Sequence, residues 1–474
     1  MNYVFNDELR KGMDCSGKGA LIDVLNCEYG PDSYLRTCDQ YTPYPDCPDR
    51  YDQIYFSKGL NLLILRIGVQ IWVKSEDPAK KIGDISVNGE VSFAEVMNKL
   101  YLADGINLYV SDGLSVKIVK TGAQLVKCAL TGEKFKVPEC MPEMVVAWEN
   151  RLVFAANDLL AFSGLMDGEN WVHKDDDPSS AQYVYIGVDK QSITALCGLY
   201  SDLIVFKAEC IYKFAGYFPD VSLIMLSQCA GAFNFNCAVQ VDNRVFFVGK
   251  AGFSALNTVV DYGDVKQSYE GARIWALLQP NISKKIGLFY SQSKNTVYIY
   301  GQSDIFAYNL AVGGAWTRIN YSNSFSSFCV VHDLFLGLDF PGRIQQFNAT
   351  DMSDCNAVSK LVFTRLDFLN KGFLKKVVLS LARDADCIGV VGFNNDSMEI
   401  VFTPDWESPL CDQDTEDDSL LKEKYDSTAW QLYTNPELAI RRMALLCEFL
   451  FLSVTFTKGW MNVKELLVAV EDMN

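Results

Sequence analysis

The chain has 474 residues and a formal net charge of −17, with 49% hydrophobic and 21% charged residues. This composition is typical of a globular chain and excludes a disordered one, and the length predicts two or three domains, or one large closed β architecture with an appendage. The acidity argues against tight nucleic-acid binding, which needs clustered Lys and Arg, although a local basic patch stays open. No apolar run is long enough to span a membrane, so we predict no membrane partner.

Residues 1–50 predict an extended N-terminal arm. They are rich in turn-forming residues, as in the stretch Tyr-Thr-Pro-Tyr-Pro-Asp at 41–46, and they lack a periodic apolar pattern. Such a segment gains order by lying against its own domain or a neighbouring subunit, and we expect that residues 1–40 can be removed without unfolding the chain. The first residues show no basic segment followed by an apolar one, so we predict no signal peptide.

Cysteine usage indicates buried thiols rather than metal or redox chemistry. The chain contains 15 Cys and no CxxC pair, which disfavours a zinc site and thioredoxin-type chemistry. Most of these cysteines are predicted to be small buried side chains in a reducing cytosol. Four of them, Cys15, Cys27, Cys38 and Cys47, are spaced by about a dozen residues, a pattern compatible with disulfides in oxidising surroundings. Whether they form bridges stays open.

A weak repeat runs through the middle of the chain. Each copy has a turn, an apolar strand, a second turn with Gly, Asn or Asp, and another apolar strand, which predicts a hairpin. Copies occupy residues 98–110, 150–162, 201–214, 243–256 and 295–308, and looser copies begin at Asn61 and His332. Their first strands are about 37 to about 52 residues apart, the range of propeller blades. We therefore predict an all-β chain with a six- or seven-bladed β-propeller over residues 51–354.

The alternative is a run of unrelated hairpins in a sandwich, which the irregular spacing favours. A closed propeller should bury side chains on the repeat strands. The side chains that we expect to be buried are Leu100, Leu102, Leu152, Phe154, Val205, Phe247 and Ile299.

After the repeat, residues 355–474 carry longer alternating strands, interrupted by an acidic loop at 411–418. They predict a β-sandwich-like C-terminal domain, and residues 463–470 predict a strand that closes its sheet.

Residues for catalysis are scarce. The chain has two histidines, His173 in a polar loop and His332 at a predicted strand edge, and neither lies near a nucleophile elbow, a P-loop, a dinucleotide fingerprint or a zinc-protease motif. A glycosidase needs two carboxylates that face each other across a cleft. The chain has 59 acidic residues, and the sequence does not identify such a pair among them. We therefore predict a protein that is not an enzyme, with no catalytic and no cofactor-binding residues.

Two acidic runs, at 175–177 and 412–418, are the candidates for a metal site. Neither has the Asp-x-Asn-x-Asp-Gly spacing of a dedicated Ca²⁺ loop. We interpret both as solvated loops and predict no metal ligands and no cofactor.

Several short segments resemble parts of phage tail proteins. Residues 19–26, followed by Gly30 and Leu-Arg-Thr at 35–37, resemble the leader ending in Asn and the Gly…Leu-Arg turn that open many of those proteins. Residues 150–154 resemble their blade-opening motif, as does 297–300 leading through 308–310 to the Gly-Ala-Trp at 314–316. The chain as a whole is similar to the tail nozzle, or packaged-DNA-stabilisation, family of short-tailed phages. It departs from the family pattern at Cys38-Asp39, where a second Arg is usual, and in its number of cysteines.

This resemblance implies a structural virion protein of a phage tail, made in the host cytoplasm. It would be a ring-forming nozzle subunit that retains the packaged DNA and gates its ejection. Its partners would be further copies of itself and neighbouring tail or portal-adaptor proteins, with DNA passing through the lumen without specific binding. The number of subunits in the ring stays open, and a hexamer is one candidate. The alternative is a propeller adhesin or receptor-binding protein that contacts a host surface ligand through aromatic loops such as 41–44 and 217–218.

Overall fold

Strands dominate the computed structural model of the chain. It describes residues 2–4, 6–15, 21–30, 32–45, 47, 50–75, 78–121, 124–137, 141–187, 190–258, 265–281, 286–301, 303–321, 323–348, 358–363, 366–381, 386–393, 396–402, 431–432, 438–450, 452–460 and 462–472. Helical structure within these residues is limited to α1 (Asn6–Lys11), α2 (Trp275–Leu278) and three 3₁₀ turns at Phe235–Cys237, Glu270–Ile274 and Gln279–Asn281. In this part of the chain, no helix has the length and apolar character to cross a membrane.

The N-terminal region contributes five strands: β1 (Asn2–Val4), β2 (Leu21–Leu25), β3 (Cys27–Tyr29), β4 (Leu35–Thr37) and β5 (Gln40–Pro43). The propeller follows as a series of antiparallel four-stranded units, which we call blades 1 to 7 in chain order.

Blades 1 and 2 are followed by a separate two-stranded ribbon. Blade 1 contains β6 (Gln53–Ser57), β7 (Leu62–Ile67), β8 (Gln70–Lys74) and β9 (Lys80–Asp84). Blade 2 contains β10 (Ser92–Val96), β11 (Lys99–Ala103), β12 (Leu108–Ser111) and β13 (Val116–Val119). The ribbon consists of β14 (Gln124–Lys127) and β15 (Lys134–Val137).

Blades 3 to 5 repeat the same plan. Blade 3 contains β16 (Met144–Trp148), β17 (Arg151–Ala156), β18 (Leu159–Phe162) and β19 (Gln182–Tyr185). Blade 4 contains β20 (Ile193–Leu199), β21 (Asp202–Lys207), β22 (Ile211–Tyr217) and β23 (Asp220–Ser227). Blade 5 contains β24 (Ala238–Val241), β25 (Arg244–Gly249), β26 (Gly252–Thr258) and β27 (Val265–Ser268).

Blades 6 and 7 complete the ring. Blade 6 contains β28 (Gly287–Ser291), β29 (Thr296–Tyr300), β30 (Asp304–Asn309) and β31 (Ala315–Asn320). Blade 7 contains β32 (Phe325–Val331), β33 (Leu334–Asp339) and β34 (Ile344–Asn348), and its fourth strand is β5 from the N-terminal region, with Tyr41 opposite Phe347. Six blades are independent four-stranded sheets, whereas blade 6 is the start of a nine-stranded sheet.

The blades pack around a common axis. The first strands of successive blades contact one another from blade 2 to blade 7, and β32 of blade 7 contacts β6 of blade 1. Blades 1 and 2 share a buried cluster that includes Ile64, Ile71, Leu100 and Tyr109. The predicted propeller of six or seven blades is therefore confirmed, and the alternative of unrelated hairpins in a sandwich is wrong.

The repeat recognised in the sequence is the central hairpin of each blade. Its copies match the second and third strands of the blades, and the side chains expected to be buried are all at most 1% exposed. A residue with positive φ precedes the second strand in every blade: Asn61, Asn98, Asn150, Tyr200, Asp242, Asn295 and His332. Asn adopts this left-handed conformation more readily than most residues, which explains the recurrent Asn of the repeat.

The C-terminal strands are β35 (Ser359–Phe363), β36 (Leu366–Leu381), β37 (Asp386–Phe393), β38 (Asp396–Phe402), β39 (Gln431–Leu432), β40 (Leu438–Leu450), β41 (Leu452–Trp460) and β42 (Asn462–Asp472). One sheet continues from β31 of blade 6 in the order β2-β35-β41-β37-β38, and the second has the order β3-β4-β42-β36-β40-β39, with β1 also on β42. The predicted strand at 463–470 is β42, which lies inside its sheet because β36 and β4 pair with its two edges.

These two sheets share one core, as the predicted sandwich-like arrangement requires. Leu361 and Val454 of the first sheet and Leu35 and Leu466 of the second belong to a single buried cluster, together with side chains of blades 5 and 6. The propeller is thus continuous with the C-terminal sheets, and the N-terminal strands lie at the junction. The acidic loop predicted at 411–418 lies outside the described residues.

Candidate functional site

The two histidines lie in different blades, and each has a local structural partner. His173, in the loop between β18 and β19, shares a hydrogen bond through Nδ1 with the Ala181 carbonyl oxygen at 2.8 Å, and its Nε2 accepts from the Lys127 amide at 3.2 Å. His332 occupies the left-handed turn position of blade 7 and packs against Phe56. Neither arrangement presents a nucleophile beside an imidazole.

The acidic run at 175–177 is engaged in local contacts. Asp175 forms an ion pair with Lys134 at 2.6 Å, and that hydrogen bond is the main cause that lowers the pKa of Asp175. Asp177 accepts from both the amide and the hydroxyl of Ser179, which lowers its pKa as well. Among the described residues, no group of three or more His, Cys, Asp or Glu side chains could hold a metal ion.

The four N-terminal cysteines carry free thiols. Cys27 and Cys38 are buried, and burial raises the pKa of both thiols far above its usual range. Cys15 is half-buried, and burial, with help from Asp23, raises its pKa to about 11. Such thiols react slowly as nucleophiles because the thiolate is rare at neutral pH.

A cavity of about 330 Å³ lies on the propeller axis, lined by the first strands of the blades. Polar side chains in it hold neighbouring blades together. The Gln53 amide donates to the Val91 carbonyl at 2.7 Å and accepts from its amide at 3.0 Å. The Ser92 hydroxyl makes the equivalent pair of bonds to Val145. The cavity has the volume of a small-molecule site and does not provide a passage for duplex DNA.

A cluster of buried charge lies where the N-terminal strands meet blade 6, a region that we call the seam. Lys294, before β29, contacts the carboxylates of Glu28 and Asp39 at 2.7 Å each. The Tyr298 hydroxyl donates to the second oxygen of Glu28 at 2.8 Å. Burial by itself lowers the pKa of Lys294, but Glu28 and Asp39 outweigh it, so that the net pKa is raised.

A second ionic cluster lies at the same junction. Arg318 of β31 donates from Nε and Nη2 to the two carboxylate oxygens of Asp23, at 3.2 and 2.6 Å, and from Nη1 to Asp304 at 3.1 Å. This bidentate geometry fixes β2 against the edge of blade 6. The propeller therefore does not end in a free edge at β31.

Asn26 links three parts of the chain at the seam. It has a φ of 55°, its side-chain oxygen accepts from the Asn320 amide at 2.7 Å, and its side-chain nitrogen donates to the Val358 carbonyl at 2.9 Å. Asn320 ends blade 6, and Val358 precedes β35. Asn26 is also the residue that ends the leader segment of the phage resemblance, and Leu35 and Thr37 of the following motif are buried in β4.

An exposed cleft of about 200 Å³ lies between blades 3 and 4. Its lining includes Trp148, Arg151, Leu165 and Phe218 beside Tyr217, whose side chain is 62% exposed. The Arg151 guanidinium donates to the carbonyl oxygens of Ser163, Ser180 and Pro178, and it lies 5.3 Å from the centre of the Phe218 ring.

The other aromatic segment considered for ligand stacking is not a loop. Tyr41 lies on β5, where its ring packs against Tyr321, Phe325 and Phe347 at centroid distances of 5.4 to 5.9 Å. The expectation that residues 41–44 offer an aromatic loop is therefore wrong, because Tyr41 is used to close blade 7.

Sequence reasoning missed the seam. Glu28 lies between Cys27 and Tyr29, and all three side chains are buried. A charged residue within a short apolar strand indicates a buried partner. No spacing rule, however, could identify Lys294, which follows 266 residues later.

No protein-family model matches the sequence, and the search of curated proteins finds no match. Similar solved structures include BBS1N in complex with ARL6DN, soaked with lead, which is 12% identical over 66% of this chain and 97% of that chain, with a TM-score of 0.40. BamB from Moraxella catarrhalis is 8% identical over 69% of this chain and 97% of that chain, with a TM-score of 0.41. Similarities this low carry no argument about what the chain does.

Proposed function

We propose that the chain is a structural subunit of a phage tail, a ring-forming nozzle protein that retains packaged DNA and gates its exit. The observation that carries the proposal is the position of the residues that resemble phage tail proteins. Asn26 lies at the seam and bonds to Asn320 of blade 6 and to Val358 before β35, and the motif at 35–37 pairs with β42 of the C-terminal sheets. These residues hold the propeller and the C-terminal sheets of one subunit together, which suits a structural protein.

The charge of the chain is compatible with this role. A ring of subunits that each carry a net charge of −17 repels DNA in its lumen and favours passage over adhesion. The axial cavity of a single propeller is too small for a duplex, so the lumen lies between subunits. The partners are further copies of the chain and neighbouring tail or portal-adaptor proteins, and the location is the virion.

The experiment compares phage particles made with and without the chain. Mass spectrometry of purified particles is expected to find the chain in several copies, and particles assembled without it are expected to lose their packaged DNA. Finding the chain in the lysate but not in particles would refute the proposal. Particles that lack the chain, retain their DNA and fail only to adsorb would support the alternative role.

That alternative is a propeller adhesin or receptor-binding protein. The cleft between blades 3 and 4 favours it, because Tyr217 is exposed beside the Arg151 and Phe218 pair. An exposed aromatic ring can stack on a sugar or bind a host protein, and the buried Arg151 holds the wall of the cleft in place.

A further inference from the structure

The ribbon β14–β15 is an addition to the blade plan, inserted between blades 2 and 3. Its inner face is apolar: Val126 and Val137 are buried in one cluster with side chains of both blades. A hydrogen bond from the Gln124 side chain to the Trp171 carbonyl oxygen also ties it to blade 3. The outer face carries Leu125 and three lysines, all exposed: Lys127, Lys134 and Lys136.

Further exposed lysines lie on and beside the outer strands of blades 1 and 2. These strands, β9 and β13, contact each other, and Val119 of β13 belongs to the same buried cluster as the ribbon. We call the whole set the lysine surface: Lys80, Lys81, Lys117, Lys120, Lys127, Lys134 and Lys136. Lys81 pairs with Asp84, and Lys134 pairs with Asp175. In the described part of the chain, no ion pair involves the other five. Among the described residues of the same strands and turns, the exposed acidic ones are Asp84, Asp112 and Glu133, so lysines outnumber them here although the chain as a whole carries a charge of −17.

The register of the ribbon brings like charges together. Lys127 lies directly opposite Lys134, and Leu125 lies opposite Lys136. Like charges at opposing positions of an antiparallel pair destabilise it. Asp175 compensates for one of the two charges, and an acidic partner outside the subunit would compensate for the rest.

Exposed apolar side chains belong to the same region. Leu114 is 78% exposed, Ile118 is 61% exposed and Leu125 is 64% exposed. Ile118 lies between Lys117 and Val119 on β13. A surface that combines lysines with large apolar groups fits another protein better than nucleic acid, because phosphate binding makes no use of the apolar groups.

We propose that the lysine surface binds an acidic face of a second copy of this chain. The argument is charge complementarity: the chain has 59 acidic and 42 basic residues, and the lysine surface concentrates exposed lysines at one place. A contact between two different faces is heterologous, and such contacts form a ring when the rotation between subunits closes and an open filament when it does not. This inference rests on the proposed ring and names the surface that builds it.

The test measures the mass of the purified full chain by light scattering over a range of protein concentrations. The wild type is expected to self-associate at about 0.05 M salt and to dissociate at about 0.5 M, where the Debye length is much shorter. The variant Lys127→Glu/Lys136→Glu is expected to associate about tenfold or more weakly, since it reverses two charges of the surface. The control Lys190→Glu/Lys266→Glu makes the same change in net charge at two exposed lysines elsewhere and is expected to associate like the wild type.

A thermal melt shows whether the variant is folded. Lys127→Glu places a carboxylate opposite Lys134, so its melting temperature is expected to equal or exceed that of the wild type. A wild type that stays monomeric at low salt, or a lysine-surface variant that associates like the control, overturns the inference. The inference is also overturned if a labelled DNA duplex binds the wild-type monomer and fails to bind the Lys127→Glu/Lys136→Glu variant. None of these results depends on whether the chain is found in virions, so failure of the inference and failure of the proposed function are separable.

Discussion

Glu28 of β3 accepts a hydrogen bond from Lys294 at 2.7 Å, although 266 positions separate the two residues in the sequence. Both side chains are largely buried, with 6% and 15% of their surfaces exposed. This contact, with Asp39 as a second carboxylate partner, binds the N-terminal strands to blade 6. Because these charges are buried, removing one partner is expected to lower the free energy of unfolding.

Replacing Lys294 with Met is expected to destabilise the fold by about 3–5 kcal/mol, because it leaves two buried carboxylates without their cation. Urea denaturation followed by circular dichroism measures the loss. The matched control is Lys250→Met, which removes an exposed ion pair with Glu209 and is expected to cost about 0–1 kcal/mol. Equal small losses for both variants would show that the seam does not stabilise the fold.

The seam also predicts a dependence of stability on pH. The pKa of Lys294 is raised from its ordinary value of 10.5 by the carboxylates, which outweigh the effect of burial. Above pH 10.5 the folded state retains a proton that the unfolded chain has lost, so the free energy of unfolding falls as pH rises through the folded pKa. Denaturation at a series of pH values between about 8 and about 11.5 measures the slope. Lys294→Met is expected to show a shallower decline, and an unchanged slope would contradict the assignment.

Deletion of residues 1–40 is expected to prevent folding. The sequence favours a removable arm, but the structure shows β2 between β31 and β35, and β3 and β4 carrying buried side chains of the shared core. The deletion also removes Glu28 and Asp39 and leaves Lys294 buried without partners. Limited proteolysis and circular dichroism of the truncated chain measure the outcome. A soluble, protease-resistant fragment with native β content would restore the sequence-based expectation.

Asn26 combines a backbone and a side-chain role, which two substitutions separate. Asn26→Gly keeps the φ of 55° accessible but removes the hydrogen bonds to Asn320 and Val358, at a cost of about 1–3 kcal/mol. Asn26→Ala loses those bonds and adds the strain of a left-handed residue, about 1–2 kcal/mol more. Equilibrium denaturation is expected to rank the wild type above the Gly variant and the Gly variant above the Ala variant. The reverse order of the two variants would exclude a backbone role.

Tyr217→Ala tests the adhesin alternative. The side chain is 62% exposed, so its truncation is expected to change stability by less than about 0.5 kcal/mol. If the nozzle proposal holds, particles that carry the variant adsorb to the host like the wild type. The control is Tyr200→Ala, also exposed, which lies outside the cleft. Loss of adsorption with Tyr217→Ala but not with Tyr200→Ala would favour the adhesin.

The propeller could be predicted from sequence because its signal is local. The central hairpin of a blade lies within about a dozen residues, where alternating apolar side chains and a turn with Asn are visible together. Asn98, Asn150 and Asn295 mark three of these turns, and each has positive φ. Blade 7 shows the limit, because its first three strands could be read from the repeat but its fourth, β5, comes from a segment without a repeat pattern.

The ionic clusters and the cleft could not be predicted, because their residues are far apart in the sequence. Asp23 meets Arg318 across 295 positions, and Phe218 meets Arg151 only because blades 3 and 4 are adjacent in space. Neither pair leaves a spacing in the sequence. Tyr41, expected on a ligand-contacting loop, instead packs within blade 7 on β5.

The closure of blade 7 by β5 has a consequence for synthesis on the ribosome. Residues 40–43 leave the exit tunnel roughly 300 residues before their partner strand at 344–348, a delay on the order of fifteen seconds to a minute at about 5–20 residues per second. During that time the strand has no native partner, and the last blade of a chain just completed nearby presents the edge that it fits until that chain's own β5 pairs there. Two chains translated from one message could therefore exchange their β5 strands. Pairing of β5 with blade 7 of its own chain is favoured only when nascent chains are kept apart.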